Sequence, residues 1–227
     1  MDGRVTGRPT RAVLPPAMSL WLGSIAALAA LVVVVLGFRY ADDSRPATVD
    51  SRIGGVMDGS GASPWRHVAL ALDFLGEPAG SVVLVAAVVT GCLLLRRRRA
   101  AVLLVAGVAL TVGTTTLLKY VVGRTINGGY LSYPSGHTAF LTALLLVVAL
   151  LVTGRLGLGK AAGTLLVLTA ALVGGAAMGW AQVALGAHYP TDALGGWCTA
   201  LAAIPAVAWL VDRAADRLVH VGGRERH

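Results

Sequence analysis

Two short polar segments, Tyr133-Pro134-Ser135-Gly136-His137 and His188-Tyr189-Pro190-Thr191-Asp192, each stand directly before a long apolar run. Pro134, Ser135 and Gly136 at the start of a helix let the backbone bend and present successive amide donors. With the positive end of the helix dipole these form a site for an anion. The Ser135 hydroxyl adds a donor, and Lys119, at the end of an earlier apolar run, adds a compact positive charge. His188 and Asp192 are four residues apart. A carboxylate at that spacing can accept from one ring nitrogen, fix the tautomer and leave the other nitrogen free to attack. His137 is then placed to protonate a leaving alkoxide. An anion cradle, a nucleophile, an orienting carboxylate and a separate acid amount to phosphoryl transfer through a phosphohistidine, with no metal required. Each group also has a plainer use. Lys119 suits a snorkelling anchor, Arg124 a surface charge, Ser135 and Gly136 a helix cap and turn, and His188 with Asp192 a loop-closing pair. Ionisable groups gathered at membrane depth are expensive, which favours function for the set.

The elements that must position these groups are membrane spans. The chain has 227 residues, 56% hydrophobic and only 13% charged, where a soluble domain carries about a quarter charged. Apolar runs fall at 18–38, 81–95, 100–118, 138–152, 161–181 and 193–211, each near the length that crosses a bilayer. This predicts an all-α integral membrane protein of six spans. Residues 1–17 and 212–227 form tails around a membrane unit at 18–211, with an external loop at 39–76 whose stretch 40–63 is rich in Gly, Ser and Asp. Within it, 65–75 is too short to span and reads as an interfacial helix or a simple transition into the membrane. The basic start could mimic a signal peptide, but the run after it is too long and lacks a small-residue cleavage site, so an uncleaved first span is expected.

Lysines and arginines divide unevenly between the two sets of connections, 13 against 6, with Arg96 to Arg99 the strongest cluster. The richer set is expected in the cytoplasm. Both tails are then inside a plasma-membrane protein, and both polar segments are outside. The net charge of +8 is spread between spans rather than gathered with aromatics, which speaks against nucleic acid as a partner. Cys92 and Cys198 lie within apolar runs, and no disulfide is expected. Gly175 and Gly179 make a small-x-x-x-small pair suited to close helix contact.

With these residues in place the chain resembles the type 2 phosphatidic acid phosphatase superfamily, six-span lipid phosphatases whose site faces outward. The family motifs are Lys-x6-Arg-Pro, Pro-Ser-Gly-His and Ser-Arg-x5-His-x3-Asp. Pro134-Ser135-Gly136-His137 carries the second intact, His188 and Asp192 carry the end of the third, and Lys119 begins the first. The resemblance implies a nucleophilic His188 oriented by Asp192, an acid at His137, and phosphate ligands at Lys119, Ser135 and Gly136. The substrate implied is a lipid phosphate or diphosphate held with its tail in the membrane. Both motif arginines are absent, since Ile126 and Gln182 occupy their positions. Arg124, two residues early, is in reach of the first vacancy, and Gln182 can offer a neutral hydrogen bond. Each lost guanidinium contact weakens transition-state stabilisation by about 3–4 kcal/mol. Hydrolysis of a lipid phosphate therefore competes with two alternatives, a phosphotransferase and a weakly active or inactive lipid-phosphate binding protein. An intramembrane serine protease using Ser135 lacks a histidine deep enough to serve it, and a transporter would show matching broken halves.

Overall fold

A computed structural model describes residues 12–14, 18–57 and 64–224. The basic tail read at 1–17 therefore lies outside the described residues except at 12–14. Among the described residues eight helices and one small hairpin follow in order: α1 (Ser19–Arg39), α2 (Thr48–Met57), α3 (Trp65–Gly76), α4 (Pro78–Leu94), α5 (Arg98–Val122), β1 (Thr125–Ile126), β2 (Tyr130–Leu131), α6 (Gly136–Leu156), α7 (Lys160–Ala184) and α8 (Pro190–Arg224).

Five helices, α1, α5, α6, α7 and α8, are long and apolar enough to cross a membrane, and α3 with α4 makes a sixth if the bent pair counts as one. That pair turns by 65° at Glu77-Pro78, where Pro78 opens α4 at a position that needs no amide donor. Helix α8 runs past the end of its apolar stretch at 211 to Arg224. The segment at 48–57, read as part of an irregular loop, is the helix α2.

Helix α6 is the centre of the bundle. In its most apolar window 61% of residues are buried, against 17% for α1. A helix apolar on all sides can face other helices or lipid equally well, and α6 faces α5, α7 and α8 while α1 packs on α8. Close approach of α7 and α8 depends on the small residues noted in the sequence: Gly175 lies against the Trp197 indole and Gly179 against Ala193. Cys92 and Cys198 are both free.

The loops around the two polar segments are pinned at several points. Asp42 donates its amide to the Val122 carbonyl at 2.8 Å, and Thr125 to the Asp43 carbonyl at 3.0 Å, so the chain leaving α1 lies along the end of α5. The Tyr133 ring is fully buried, and its hydroxyl donates to the Val33 carbonyl of α1 at 2.7 Å. Burial pushes this phenol up, so it stays protonated and remains a donor. Tyr133→Phe removes that one bond while keeping the ring, and is expected to lower stability by about 1 kcal/mol. A thermal unfolding scan in detergent checks this.

Candidate active site

The two polar segments meet. The Ser135 amide donates to the Asp192 carbonyl at 2.9 Å, joining the start of α6 to the start of α8. Two glycines of α8 make this contact possible: Gly195 lies against the Tyr133 ring and Gly196 against the Ser135 carbonyl, each too close to admit a Cβ.

At the α6 end, Ser135 is the N-cap. Its Oγ accepts from the Thr138 amide at 3.4 Å and from the Thr138 hydroxyl at 3.1 Å. The residue is fully buried, so its hydroxyl shapes the helix start, and its own proton is left to donate. Among the described residues, the Gly136 and His137 amides have no backbone partner, as expected of first-turn donors. These are the donors an anion would meet.

At the α8 end, the loop 185–189 hangs from the last turn of α7. Ala187 and His188 both donate their amides to the Gln182 carbonyl, at 2.9 and 3.3 Å, with Gly186 turning the chain at φ +68°. Asn127, in the hairpin turn, steadies this loop by donating from its amide group to the Gly186 carbonyl at 2.7 Å. His188 is buried, and its Nδ1 has no hydrogen-bond partner among the described residues. The nearest carboxylate oxygen is Asp192 Oδ2 at 3.7 Å, about 1 Å beyond a hydrogen bond, a gap of the kind that closes when substrate binds.

His137 faces the site from the first turn of α6. Its Nε2 lies 3.6 Å from Asp73 Oδ1 and 3.8 Å from Glu77 Oε1, without a hydrogen bond. Gly76 lies against its ring so closely that no Cβ fits. The Lys119 ammonium forms no ion pair among the described residues and is half-buried. It can therefore attract an anion.

Two expected substrate ligands are otherwise engaged. Arg124 does not sit in the vacancy beside Ile126. It is fully buried, donating to Asp192 Oδ1 and Thr191 Oγ1 at 2.6 Å each and to Asp50 Oδ2 at 2.7 Å. Its guanidinium carbon lies 4.1 Å from the Tyr40 ring centre and 4.5 Å from that of Tyr189. A charge held this way is not available to a substrate without taking the network apart. Gln182 is also buried, and its amide donates to Asp73 Oδ1 at 2.7 Å. Ile126 belongs to β1 and offers no polar atom.

Asp50, Asp73 and Glu77 escape the sequence reading as site residues, because each comes from a loop or a short helix with no motif around it; Asn127 stands where the family motif has its proline, and its bond to the loop is not legible there. Asp73, Glu77 and His137 bring one ligand atom each to within 4.8 Å of one another. Oxygen donors of this kind suit a divalent cation, although one Asp73 oxygen already accepts from Gln182.

Comparison with known proteins gives a family and a similar fold. A family model described as the PAP2 superfamily matches residues 100–216. A solved structure, described as the first transmembrane PAP2 type phosphatidylglycerolphosphate phosphatase from Bacillus subtilis, is 18% identical with a TM-score of 0.64. The match covers 85% of this chain and 96% of that one. Among curated proteins there is no match.

Proposed function

The chain belongs to the PAP2 superfamily, and from that premise we propose that it is a lipid phosphatase acting through a phosphohistidine at His188. The observation that carries this reading is the bond from the Ser135 amide to the Asp192 carbonyl, because it brings the anion-binding helix start and the His188–Asp192 pair into one site. In the first step the free nitrogen of His188 attacks phosphorus. The bond from phosphorus to the leaving oxygen breaks, and the His137 imidazolium gives that oxygen its proton. Asp192 steadies the ring as it becomes cationic. Lys119, the Ser135 hydroxyl and the Gly136 and His137 amides hold the phosphoryl oxygens, where charge accumulates. In the second step His137, now neutral, takes a proton from water, which attacks phosphorus and releases inorganic phosphate and His188.

The substrate in this reading is a lipid mono- or diphosphate, whose head reaches the site while its tail stays among the helices. The imbalance of 13 basic residues against 6 supports cytoplasmic tails at 1–17 and 212–227 around a plasma-membrane unit at 18–211, with the site external. One observation favours a second reading, a lipid-phosphate binding protein of low turnover: Ile126 and Gln182 bring no guanidinium to the phosphate, and Arg124 is held by two carboxylates.

Phosphate release by the purified protein from a panel of lipid mono- and diphosphates tests the proposal. Turnover supports it, and binding without turnover supports the second reading. In this mechanism the charge on phosphate is met by protein groups, so dialysis against EDTA is expected to leave the rate unchanged. Loss of activity restored by a divalent cation would instead assign the Asp73–Glu77–His137 cluster to a metal.

A further inference from the structure

We propose that Asp50, on α2, is a positioning residue of this site: through Arg124 it sets the charge and orientation of the Asp192 carboxylate that faces His188. This rests on the phosphohistidine reading for its use, but the geometry stands by itself. Asp192 divides its two oxygens. Oδ1 accepts from Arg124 at 2.6 Å, while Oδ2 accepts from the Tyr189 amide at 3.0 Å and faces His188 Nδ1 at 3.7 Å. The carboxylate is thus held at both oxygens and cannot turn without breaking bonds at each.

An arginine paired with Asp192 alone would neutralise it and leave little negative charge to stabilise a cationic His188. Asp50 changes this balance. Its Oδ2 accepts from Arg124 at 2.7 Å, so one guanidinium serves two buried carboxylates and the group keeps one net negative charge. Asp50 also grips the start of α8 directly: Oδ1 accepts from the Thr191 amide at 2.9 Å and Oδ2 from the Thr191 hydroxyl at 3.0 Å. A further bond from the Ala47 amide at 3.1 Å fixes Asp50 at the start of its own helix. Asp50, Arg124 and Asp192 are all essentially inaccessible to solvent. Three charges buried together give the fold little that apolar residues of the same volume would not give. Their arrangement is accounted for by what it does to Asp192.

The experiment uses the full-length protein in detergent, with Asp50→Asn and the double variant Asp50→Asn with Arg124→Gln. Asparagine keeps the shape of Asp50, removes its charge and, with its carbonyl kept toward Arg124, gives up the acceptor for the Thr191 amide. The first readout is the ring tautomer of His188 at alkaline pH, from nitrogen-15 spectra of histidine-labelled protein assigned with His188→Asn. It does not depend on turnover. The second is kcat and KM for the best lipid phosphate. Asp50→Asn is expected to reduce the population protonated at Nδ1 and to lower kcat about tenfold with KM within about twofold. The double variant returns one net negative charge to Asp192, and is expected to recover part of the loss in kcat. An unchanged tautomer in Asp50→Asn overturns the proposal, as does a rise in KM at constant kcat, which would make this network part of substrate binding. A shifted tautomer in a protein whose wild type releases no phosphate keeps the role of Asp50 and removes the phosphatase reading.

Discussion

Replacing His188 with alanine is expected to lower phosphate release from lipid phosphates by at least about 10³-fold while leaving the protein folded. The fold has little to lose at this position. His188 is held through its backbone amide, which reaches the Gln182 carbonyl, and its Nδ1 makes no hydrogen bond among the described residues. Truncation therefore removes the nucleophile without breaking the loop. The change in stability should stay near 1 kcal/mol, in the range of ordinary single substitutions. The decisive measurement traps the intermediate. Wild-type protein quenched during turnover of a radiolabelled lipid phosphate should carry acid-labile, base-stable label, and the alanine variant none. The His137→Ala variant should still form the intermediate from an aryl phosphate, whose leaving group needs no proton. Turnover or labelling that persists in His188→Ala removes the phosphohistidine mechanism.

Gly196→Ala is expected to destabilise the protein by about 1–3 kcal/mol and to lower activity at the same time. The sign is informative. Inside a helix this substitution ordinarily stabilises, by about 0.5–1 kcal/mol, because glycine loses more backbone freedom on folding. Here the new Cβ would run into the backbone carbonyl of Ser135. That carbonyl cannot rotate away, because it accepts the Ala139 amide at 3.1 Å, while the Ser135 amide donates to the Asp192 carbonyl. Helix α8 must therefore shift outward, taking Asp192 away from the start of α6. Thermal unfolding and phosphate release measured on one preparation check both effects, and a variant more stable than wild type would show that the two helices are not in the contact described.

The spans were readable because their signal is collective. The run at 138–152 became Gly136–Leu156 with Ser135 as its cap, and the run at 81–95 became Pro78–Leu94. No single residue decides such a segment, so local ambiguity averages out. The chemical residues were readable only where a motif concentrated them. Asp50 was invisible for the opposite reason: it stands in a polar stretch where an aspartate is ordinary, and its burial comes from a contact with Thr191, 141 positions along the chain. Asp73 and Glu77 lie where a short helix bends into the next, and the bend, not any local pattern, turns them toward His137. Arg124 is legible in the sequence as a charge within reach of a substrate, whereas in the structure it lies against Asp50 and Asp192. Sequence gave no sign that two carboxylates already surround it, since one of them was the unrecognised Asp50.

The pairing of α1 with α8 bears on how the protein is made. Helix α1 leaves the ribosome long before its partner exists, and with so little of its surface covered by protein it can wait in lipid at small cost. Helix α8 supplies that partner. It also carries Asp192 and the two glycines that receive Tyr133 and Ser135. Chains released before α8 is complete would be membrane-inserted yet unable to assemble the site, so the bundle and its chemistry are completed together, when α8 joins.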